Sequence, residues 1–226
     1  MRGLFVTGTD TGVGKTVVAA AIVAALRASG EQVRPLKPVQ SGLDEPADPG
    51  WPPDHELLAR AGGADPDTMA LIRYGPAVSP HLAAELAGRP IDPNALRAQI
   101  WEAISGDATV IVEGVGGLLV PLAPGYDIRD LARDLGLRLV IAARTGLGTI
   151  NHTLLTLEAA RSGQLDVAAV VLTPWPEAPS VVERSNRDTI ARLGDVAVAT
   201  LPRIDTPTRP QLAAAGATLP LAQWLA

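Results

Sequence analysis

The feature that most constrains this chain is the glycine-rich segment GTDTGVGKT (residues 8–16), which lies between a short apolar run, GLFV, and the alanine-rich run VVAAAIVAAL. Its glycines let the backbone curl so that successive N–H groups point inward, and a helix N-terminus adds partial positive charge. A loop of this kind between a strand and a helix binds phosphate groups. The usual spacing, G-x-x-x-x-G-K-[ST], would place the first glycine at Thr9, whereas here it is Gly8.

Two side chains of this loop have predicted roles in phosphate chemistry. Lys15 can reach the β- and γ-phosphates of a nucleotide, and the Thr16 hydroxyl can ligate Mg²⁺. We expect the phosphates to be bound by Gly12, Val13, Gly14, Lys15, Thr16 and Val17. The alternative is a plain strand-to-helix turn with an exposed lysine.

Short β-branched runs alternate with helical patterns along the whole chain, and several of the runs are almost continuously apolar, as in strands buried on both faces. This alternation predicts an α/β fold with one domain over residues 1–226, a doubly wound, mostly parallel sheet with helices on both faces. The first helix is predicted from Lys15 to Ser29, and Asp92 and Asp127 are predicted N-caps. Ligands are then expected beyond the carboxyl ends of the strands.

Composition narrows the classes of function. The net charge of −5 argues against a general nucleic-acid binder, and no apolar run is long enough to cross a bilayer. The chain has no cysteine, which excludes disulfides and thiolate metal sites, and no signal-peptide pattern, so a cytoplasmic location is expected. The proline- and acid-rich segment 44–54 is predicted to be a surface loop that is mobile or becomes ordered on binding.

A second predicted strand ends in a carboxylate. In TVIVEGVGG an apolar run is followed by Glu113 and then by Gly114, Val115 and Gly116, where the backbone can approach a ligand. A buried carboxylate needs a partner, and Mg²⁺ would serve, although a salt-bridged structural glutamate is the alternative. Asp54 could be another Mg²⁺ ligand, or simply an N-cap.

Lys37 lies between two prolines at the end of another predicted strand, in LKPVQSG. Taken alone, Lys37 is better interpreted as an ordinary solvated lysine, and only its position on the predicted ligand-binding edge points to a catalytic role. Two lysines and a metal around one phosphate group would stabilise phosphoryl transfer to an acidic acceptor.

Five motifs together resemble one enzyme family. VTGTDTGVGKT, LKPVQSG, SPHLAAEL, VEGVGGLLVPL and GLGTINHTLLTLEAA occur in the order and spacing of dethiobiotin synthetases, over roughly residues 1–163. The resemblance implies a Rossmann-like P-loop NTPase fold. It also implies a homodimer that uses ATP and Mg²⁺ to insert CO₂ between the two amines of 7,8-diaminononanoate, closing the cyclic urea of dethiobiotin in biotin biosynthesis. A carbamate and a carbamic–phosphoric anhydride are the implied intermediates.

The resemblance also implies roles for individual residues. Lys37 is expected to bind the carbamate and the developing phosphate, and Lys15 the γ-phosphate. The Mg²⁺ ligands implied are Thr16, Asp54 and Glu113. The substrate residues implied are Thr11, Lys37 and Ser41, with Gly148, Thr149 and Asn151 reaching across the dimer interface to the substrate carboxylate of the partner. From local sequence alone, GLGTIN is only a helix start.

The resemblance weakens where the family commonly carries an asparagine that reads the purine, since this chain has Thr173 followed by Pro174. A hydroxyl cannot make the paired contact that an amide makes with a base edge. We therefore expect loose base selectivity, with other nucleoside triphosphates able to replace ATP.

The main rival interpretation is a P-loop ATPase switch of the partition or division-site type. Those proteins carry a lysine early in the loop, where this chain has Asp10, and many have a membrane-seeking tail helix, whereas the C-terminal PLAQWLA has no basic face. GTPase switches need an N-K-x-D base reader, and cobyrinate-type amidotransferases need a nucleophilic cysteine; the chain contains neither.

Overall fold

The computed structural model describes residues 1–46 and 50–226. The strands are β1 (Gly3–Gly8), β2 (Val33–Gln40), β3 (Ala70–Arg73), β4 (Thr109–Glu113), β5 (Pro121–Ala123), β6 (Tyr126–Asp127), β7 (Arg138–Ala143), β8 (Val167–Trp175) and β9 (Val198–Pro202). The helices are α1 (Lys15–Ala28), α2 (Asp54–Gly62), α3 (Pro80–Leu86), α4 (Pro93–Ala103), α5 (Ile128–Leu135), α6 (Thr149–Ser162), α7 (Val181–Gly194), α8 (Arg209–Gly216) and α9 (Leu221–Trp224), together with a 3-10 turn at Pro66–Thr68.

Within these described ranges, seven strands form one sheet in the order β3-β2-β4-β1-β7-β8-β9, and every neighbouring pair is parallel. The first strand is therefore central, with Val6 opposite Glu113 on β4 and Gly8 opposite Ala142 on β7. This register brings the carboxyl ends of β4, β1 and β7 to one edge of the sheet. The predicted doubly wound parallel sheet is confirmed.

Helices cover both faces of the sheet because side chains alternate along each strand. Leu4 and Val6 pack on one face with α1, whereas Phe5 packs on the other with α5. Residues 18–24 of α1 are completely buried, which explains why this helix is alanine-rich and apolar on all sides. Each fully buried valine or isoleucine contributes about 1.5–3 kcal/mol, so the helix that follows the glycine loop is held firmly against the sheet.

Several local predictions are confirmed. Helix α1 ends at Ala28, with Ser29 as its C-cap. The Asp92 carboxylate accepts hydrogen bonds at the start of α4, and Asp127 forms a capping box with Asp130 at the start of α5. The edge strand β3 and the antiparallel ribbon β5–β6 were not predicted.

None of the described helices has the length and apolar character that a membrane span requires. The predicted loop 44–54 is described only in part, because residues 47–49 of it lie outside the described residues.

Candidate active site

The glycine loop joins the end of β1 to the start of α1. Gly12 and Gly14 have φ values of 70° and 91°, in the left-handed region that favours glycine. In the part of the chain that the structure describes, no side chain caps the N-terminus of α1, so its first-turn N–H groups are available for an anion. A Cβ on Gly8 would lie 2.7 Å from Cγ2 of Val13 and 2.9 Å from Cγ of Lys15, so the early glycine is required by the packing of this loop.

Lys15 and Lys37 are the only lysines of the chain, and both are buried at this edge of the sheet. Lys15 Nζ donates to the carbonyl oxygen of Asp10 at 2.7 Å. Burial, and next the positive charge of Lys37, lower the pKa of Lys15 to about 8. Lys15 is therefore not the exposed lysine of a plain turn.

The Lys37 ammonium lies between two carboxylates. It donates to Oδ2 of Asp54 at 2.6 Å, to Oε1 of Glu113 at 2.7 Å and to the carbonyl oxygen of Gly114 at 3.1 Å. Burial opposes the charged form, but the negative charges of Asp54 and Glu113 outweigh it and raise the pKa of Lys37. With 1% of its surface exposed, Lys37 is not the solvated lysine of the alternative interpretation.

Glu113 connects this cluster to the glycine loop. Its Oε1 also accepts a hydrogen bond from the Thr16 hydroxyl at 2.8 Å, and burial raises its pKa despite the nearby Lys37. Among the described residues, its other oxygen, Oε2, is buried without a hydrogen-bond partner. Glu113 is salt-bridged, as its structural interpretation expected, but the free oxygen leaves capacity to bind a further group.

Asp54 is not the N-cap of α2. Pro53 occupies the cap position, and Asp54 is the first residue of the helix. Its carboxylate turns instead to Lys37, whose positive charge lowers the pKa of Asp54 against the opposing effect of burial.

A cavity of about 750 Å³ opens above these groups. Of the residues predicted to bind ligands, it is lined by Thr11, Gly12, Gly14, Lys15, Thr16, Val17, Lys37, Ser41, Asp54, Val115 and Gly116. Glu113 lies beneath the cavity floor, where Lys37 and Thr16 contact it. The sequence therefore identified most of one wall of this cavity.

Val13 and Gly114, both predicted to bind ligands, do not line the cavity, and Thr173 packs against the glycine loop. Val13 is buried in the core cluster that contains α1. A Cβ on Gly114 would approach Phe5 and Ile128 at 3.1 and 3.2 Å, so this glycine permits close packing. A Cβ on Gly14 would lie 2.6 Å from Cγ2 of Thr173, so the buried Thr173 packs under the glycine loop.

The predicted carboxylate-binding residues at the start of α6 do not line the cavity of the same chain. Gly148 is the N-cap of α6 in a left-handed conformation, and no side chain of the described residues caps this helix. Thr149 is fully buried and Asn151 is exposed. Within one chain, this helix start therefore contributes nothing to the cavity.

Sequence reasoning missed the apolar residues that line the cavity, which are mainly Trp51, Pro52, Leu57, Ala77, Val78, Pro80 and Val120. The tryptophan in the proline-rich segment next to Asp54 was a usable signal for Trp51.

Comparison with known proteins agrees with the geometry. A family model described as an AAA domain matches residues 2–211. ATP-dependent dethiobiotin synthetase from Anaeromyxobacter sp. (strain Fw109-5) is 42% identical, covering 87% of this chain and 91% of that protein. The enzyme of the same name from Haloferax mediterranei is 38% identical, covering 93% of this chain and 88% of that protein.

The fold is also similar to that of a ParA family ATPase from Chlorobium tepidum TLS, with a TM-score of 0.55 and 14% identity over 99% of this chain and 94% of that one. At this identity the likeness shows a shared fold alone. The sequence relatives are far more similar and cover most of both chains, and on that ground the chain belongs to the ATP-dependent dethiobiotin synthetase family of enzymes.

Proposed function

We propose that this chain catalyses the ATP-dependent closure of the cyclic urea of dethiobiotin from 7,8-diaminononanoate and CO₂, releasing ADP and phosphate, as a ligase of biotin biosynthesis. The observation that carries the proposal is the buried Lys37 ammonium, held by Asp54 and Glu113 at the wall of a 750 Å³ cavity. Glu113 connects it through Thr16 to the glycine loop.

The chemistry requires positive charge at this place. One amine of the substrate captures CO₂ as a carbamate, whose oxygen is a poor leaving group until it receives the γ-phosphoryl group of ATP. The second amine then attacks the carbonyl carbon of the mixed anhydride and expels phosphate. Negative charge gathers at the transferring group, so positioning and charge stabilisation by Lys15 and Lys37 dominate catalysis.

The two lysines would act differently. The raised pKa of Lys37 keeps it cationic at neutral pH, so it serves as a fixed positive charge for the carbamate and not as a proton donor. Lys15 follows the glycines that curl the loop, so its ammonium would bind the γ-phosphate. Thr11 and Ser41, on the cavity wall, would contact the diamine or its carbamate.

The side chains around Glu113 suit Mg²⁺. In the described part of the chain, no three His, Cys, Asp or Glu side chains lie together in a way that could hold a metal. The proposed ligands are therefore only two carboxylates, those of Asp54 and Glu113, together with the Thr16 hydroxyl. Mg²⁺ prefers oxygen ligands and commonly uses one or two carboxylates with substrate phosphates, and the unpartnered Oε2 of Glu113 fits this pattern. Bound Mg²⁺ would neutralise charge on the β- and γ-phosphates.

We further propose that the protein is a homodimer in which the start of α6 completes the site of the partner. Uncapped N–H groups at this helix start would bind the substrate carboxylate. Leu147, 85% exposed, and Leu155, 57% exposed, lie beside it and would be buried by a partner. The position of Gly148, Thr149 and Asn151 away from their own cavity supports this arrangement.

Loose base selectivity belongs to the same proposal. Thr173 packs against Gly14 and is 3% exposed, so its side chain is committed to supporting the loop. A competition assay should show GTP and CTP replacing ATP with comparable efficiency. A strong preference for ATP would contradict this part of the proposal.

The decisive experiment incubates the protein with diaminononanoate, bicarbonate, Mg²⁺ and ATP, and detects dethiobiotin by mass. Lys37→Ala should abolish product while ATP binding stays largely intact, because the glycine loop is unchanged. Normal turnover by this variant would show that Lys37 is not catalytic. ATP hydrolysis that is independent of diamine and bicarbonate would instead favour the switch-type ATPase.

A further inference from the structure

Asp10 connects the glycine loop to a neighbouring strand. Its carbonyl oxygen accepts from Lys15 Nζ at 2.7 Å, and its Oδ1 accepts from the backbone N–H of Thr11 at 2.7 Å. Its Oδ2 lies 3.1 Å from Nη2 of Arg144. One residue therefore holds the catalytic lysine, the backbone of the loop and an arginine from a distant part of the chain.

Arg144 comes from an anchored segment. It directly follows β7, and the backbone N–H of Thr9 donates to the carbonyl oxygen of Ala142 on that strand at 3.0 Å. On the other side, the amide of Asn186 on α7 donates to the carbonyl oxygens of Thr145 and Gly146 at 2.9 and 3.2 Å. The segment that carries Arg144 is thus fixed on two sides, and its ion pair extends that support to Asp10.

The ion pair between Arg144 and Asp10 contributes little to the free energy of unfolding. The side chains of Arg144 and Asp10 are 47% and 50% exposed, and exposed pairs contribute only about 0–1 kcal/mol. Its effect is local, because it restricts the backbone that presents the Asp10 carbonyl oxygen to Lys15. A binding site ordered in advance costs less to complete when its ligand arrives.

We propose that Arg144 is a positioning residue for nucleotide binding: by pairing with Asp10, it fixes the carbonyl oxygen that orients Lys15 before the triphosphate arrives. The inference rests on the proposed function, because it assumes that Lys15 binds the triphosphate of ATP. Arg144 itself lies outside the set of residues predicted to bind ligands.

The test compares Arg144→Ala and Arg144→Lys with the wild type by calorimetric binding of ATP and of inorganic tripolyphosphate. Arg144→Ala should weaken both ligands roughly two- to fivefold and raise the KM for ATP, with little change in kcat, because preorganisation is lost and the chemistry is not. Arg144→Lys should restore most of the affinity. The melting temperature should stay unchanged in both variants.

Arg60→Ala is the matched control, since it removes an exposed arginine and its pair with Glu56 on α2, at 3.2 Å. Arg60→Ala should leave the affinity for both ligands unchanged. An equal loss of affinity in this variant would show that Arg144→Ala acts only by changing the overall charge of the protein. Asp10→Asn, which keeps the backbone carbonyl, should show no further loss when combined with Arg144→Ala.

The outcomes separate this inference from the function on which it rests. Wild-type affinity in Arg144→Ala, or additive effects of the Asp10 and Arg144 substitutions, would overturn the positioning role alone. Failure of the wild type to bind either ATP or tripolyphosphate would overturn the proposed function itself.

Discussion

At the scale of single residues, the two lysines predict a pH dependence of nucleotide binding. Lys15 has a pKa of about 8 in the free protein, so it is charged below that pH and neutral above it. A triphosphate favours the charged form, so affinity should fall as pH rises through about 8, approaching tenfold per pH unit. Lys37 has a raised pKa and should stay charged over this range.

The pKa values of the lysines can be measured directly by NMR after labelling at Cε, because the chain has only two lysines. One NMR signal should titrate near the pKa of Lys15 and the other should not move. Lys15→Arg keeps a permanent charge, so its affinity for triphosphate should lack this pH dependence. A Lys15 signal that titrates near the ordinary lysine pKa would contradict the prediction.

The sequence predicted those site residues whose positions follow from the end of a strand. Glu113 is the last residue of one recognisable apolar strand, and Lys15 follows another after the glycine loop. The carboxyl ends of parallel strands meet at one edge of the sheet. The pairing of Lys37 with both carboxylates depends on side-chain packing, which no local pattern encodes. Asp10 and Arg144 lie 134 positions apart, so their contact required the fold.

At the scale of secondary-structure elements, the packing of α8 on α1 predicts a severe effect of one methyl group. A Cβ on Gly216 would lie 2.0 Å from the carbonyl oxygen of Ala21, so α8 would have to move away from α1. Gly216→Ala should lower the free energy of unfolding by about 1–3 kcal/mol, the cost of overpacking a tight core. Urea denaturation with an unchanged m-value would measure it.

Gly146→Ala is the matched control for this prediction. A Cβ there meets no atom of residues 1–46 or 50–226 within 4 Å, and Gly146, like Gly216, has no positive φ. Its effect on the free energy of unfolding should stay within about 0.5 kcal/mol, as for other surface substitutions. Equal stability of the two alanine variants would show that α8 adjusts freely on α1.

Most helices and strands were predicted from hydrophobic periodicity and capping residues, and the strands that were not predicted are short. β3 has four residues at the sheet edge, three of them only partly buried, so it lacks the continuous apolar run of the central strands. Its position is determined by pairing with β2, where Lys37 lies opposite Ala70. The ribbon β5–β6 involves three and two residues, too few for an alternating pattern.

At the scale of the whole molecule, the sheet order favours one domain over residues 1–226. The N-terminal strand β1 pairs on one side with β4 and on the other with β7, so strands from both halves of the chain share one core. We propose this single domain as the protomer of a dimer in which each site takes Lys37 from one chain and the α6 start from the other.

This arrangement predicts complementation between two inactive variants. Lys37→Ala removes the catalytic ammonium, and Asn151→Glu places a negative charge at the helix start proposed to bind the substrate carboxylate, so each homodimer should form almost no dethiobiotin. In a mixed dimer, one site carries both defects and the other carries neither. Random subunit exchange of equal amounts should therefore restore about a quarter of wild-type activity per protomer.

The control mixes Lys37→Ala with Lys15→Ala, which lie in the same site of one chain. Every site of that mixed dimer keeps one defect, so no activity should return. Recovery in both mixtures would indicate an effect of mixing that is unrelated to the shared site. No recovery in either, although exchange is verified with two affinity tags, would place Asn151 outside the partner's site, and the exposed start of α6 would then need another explanation.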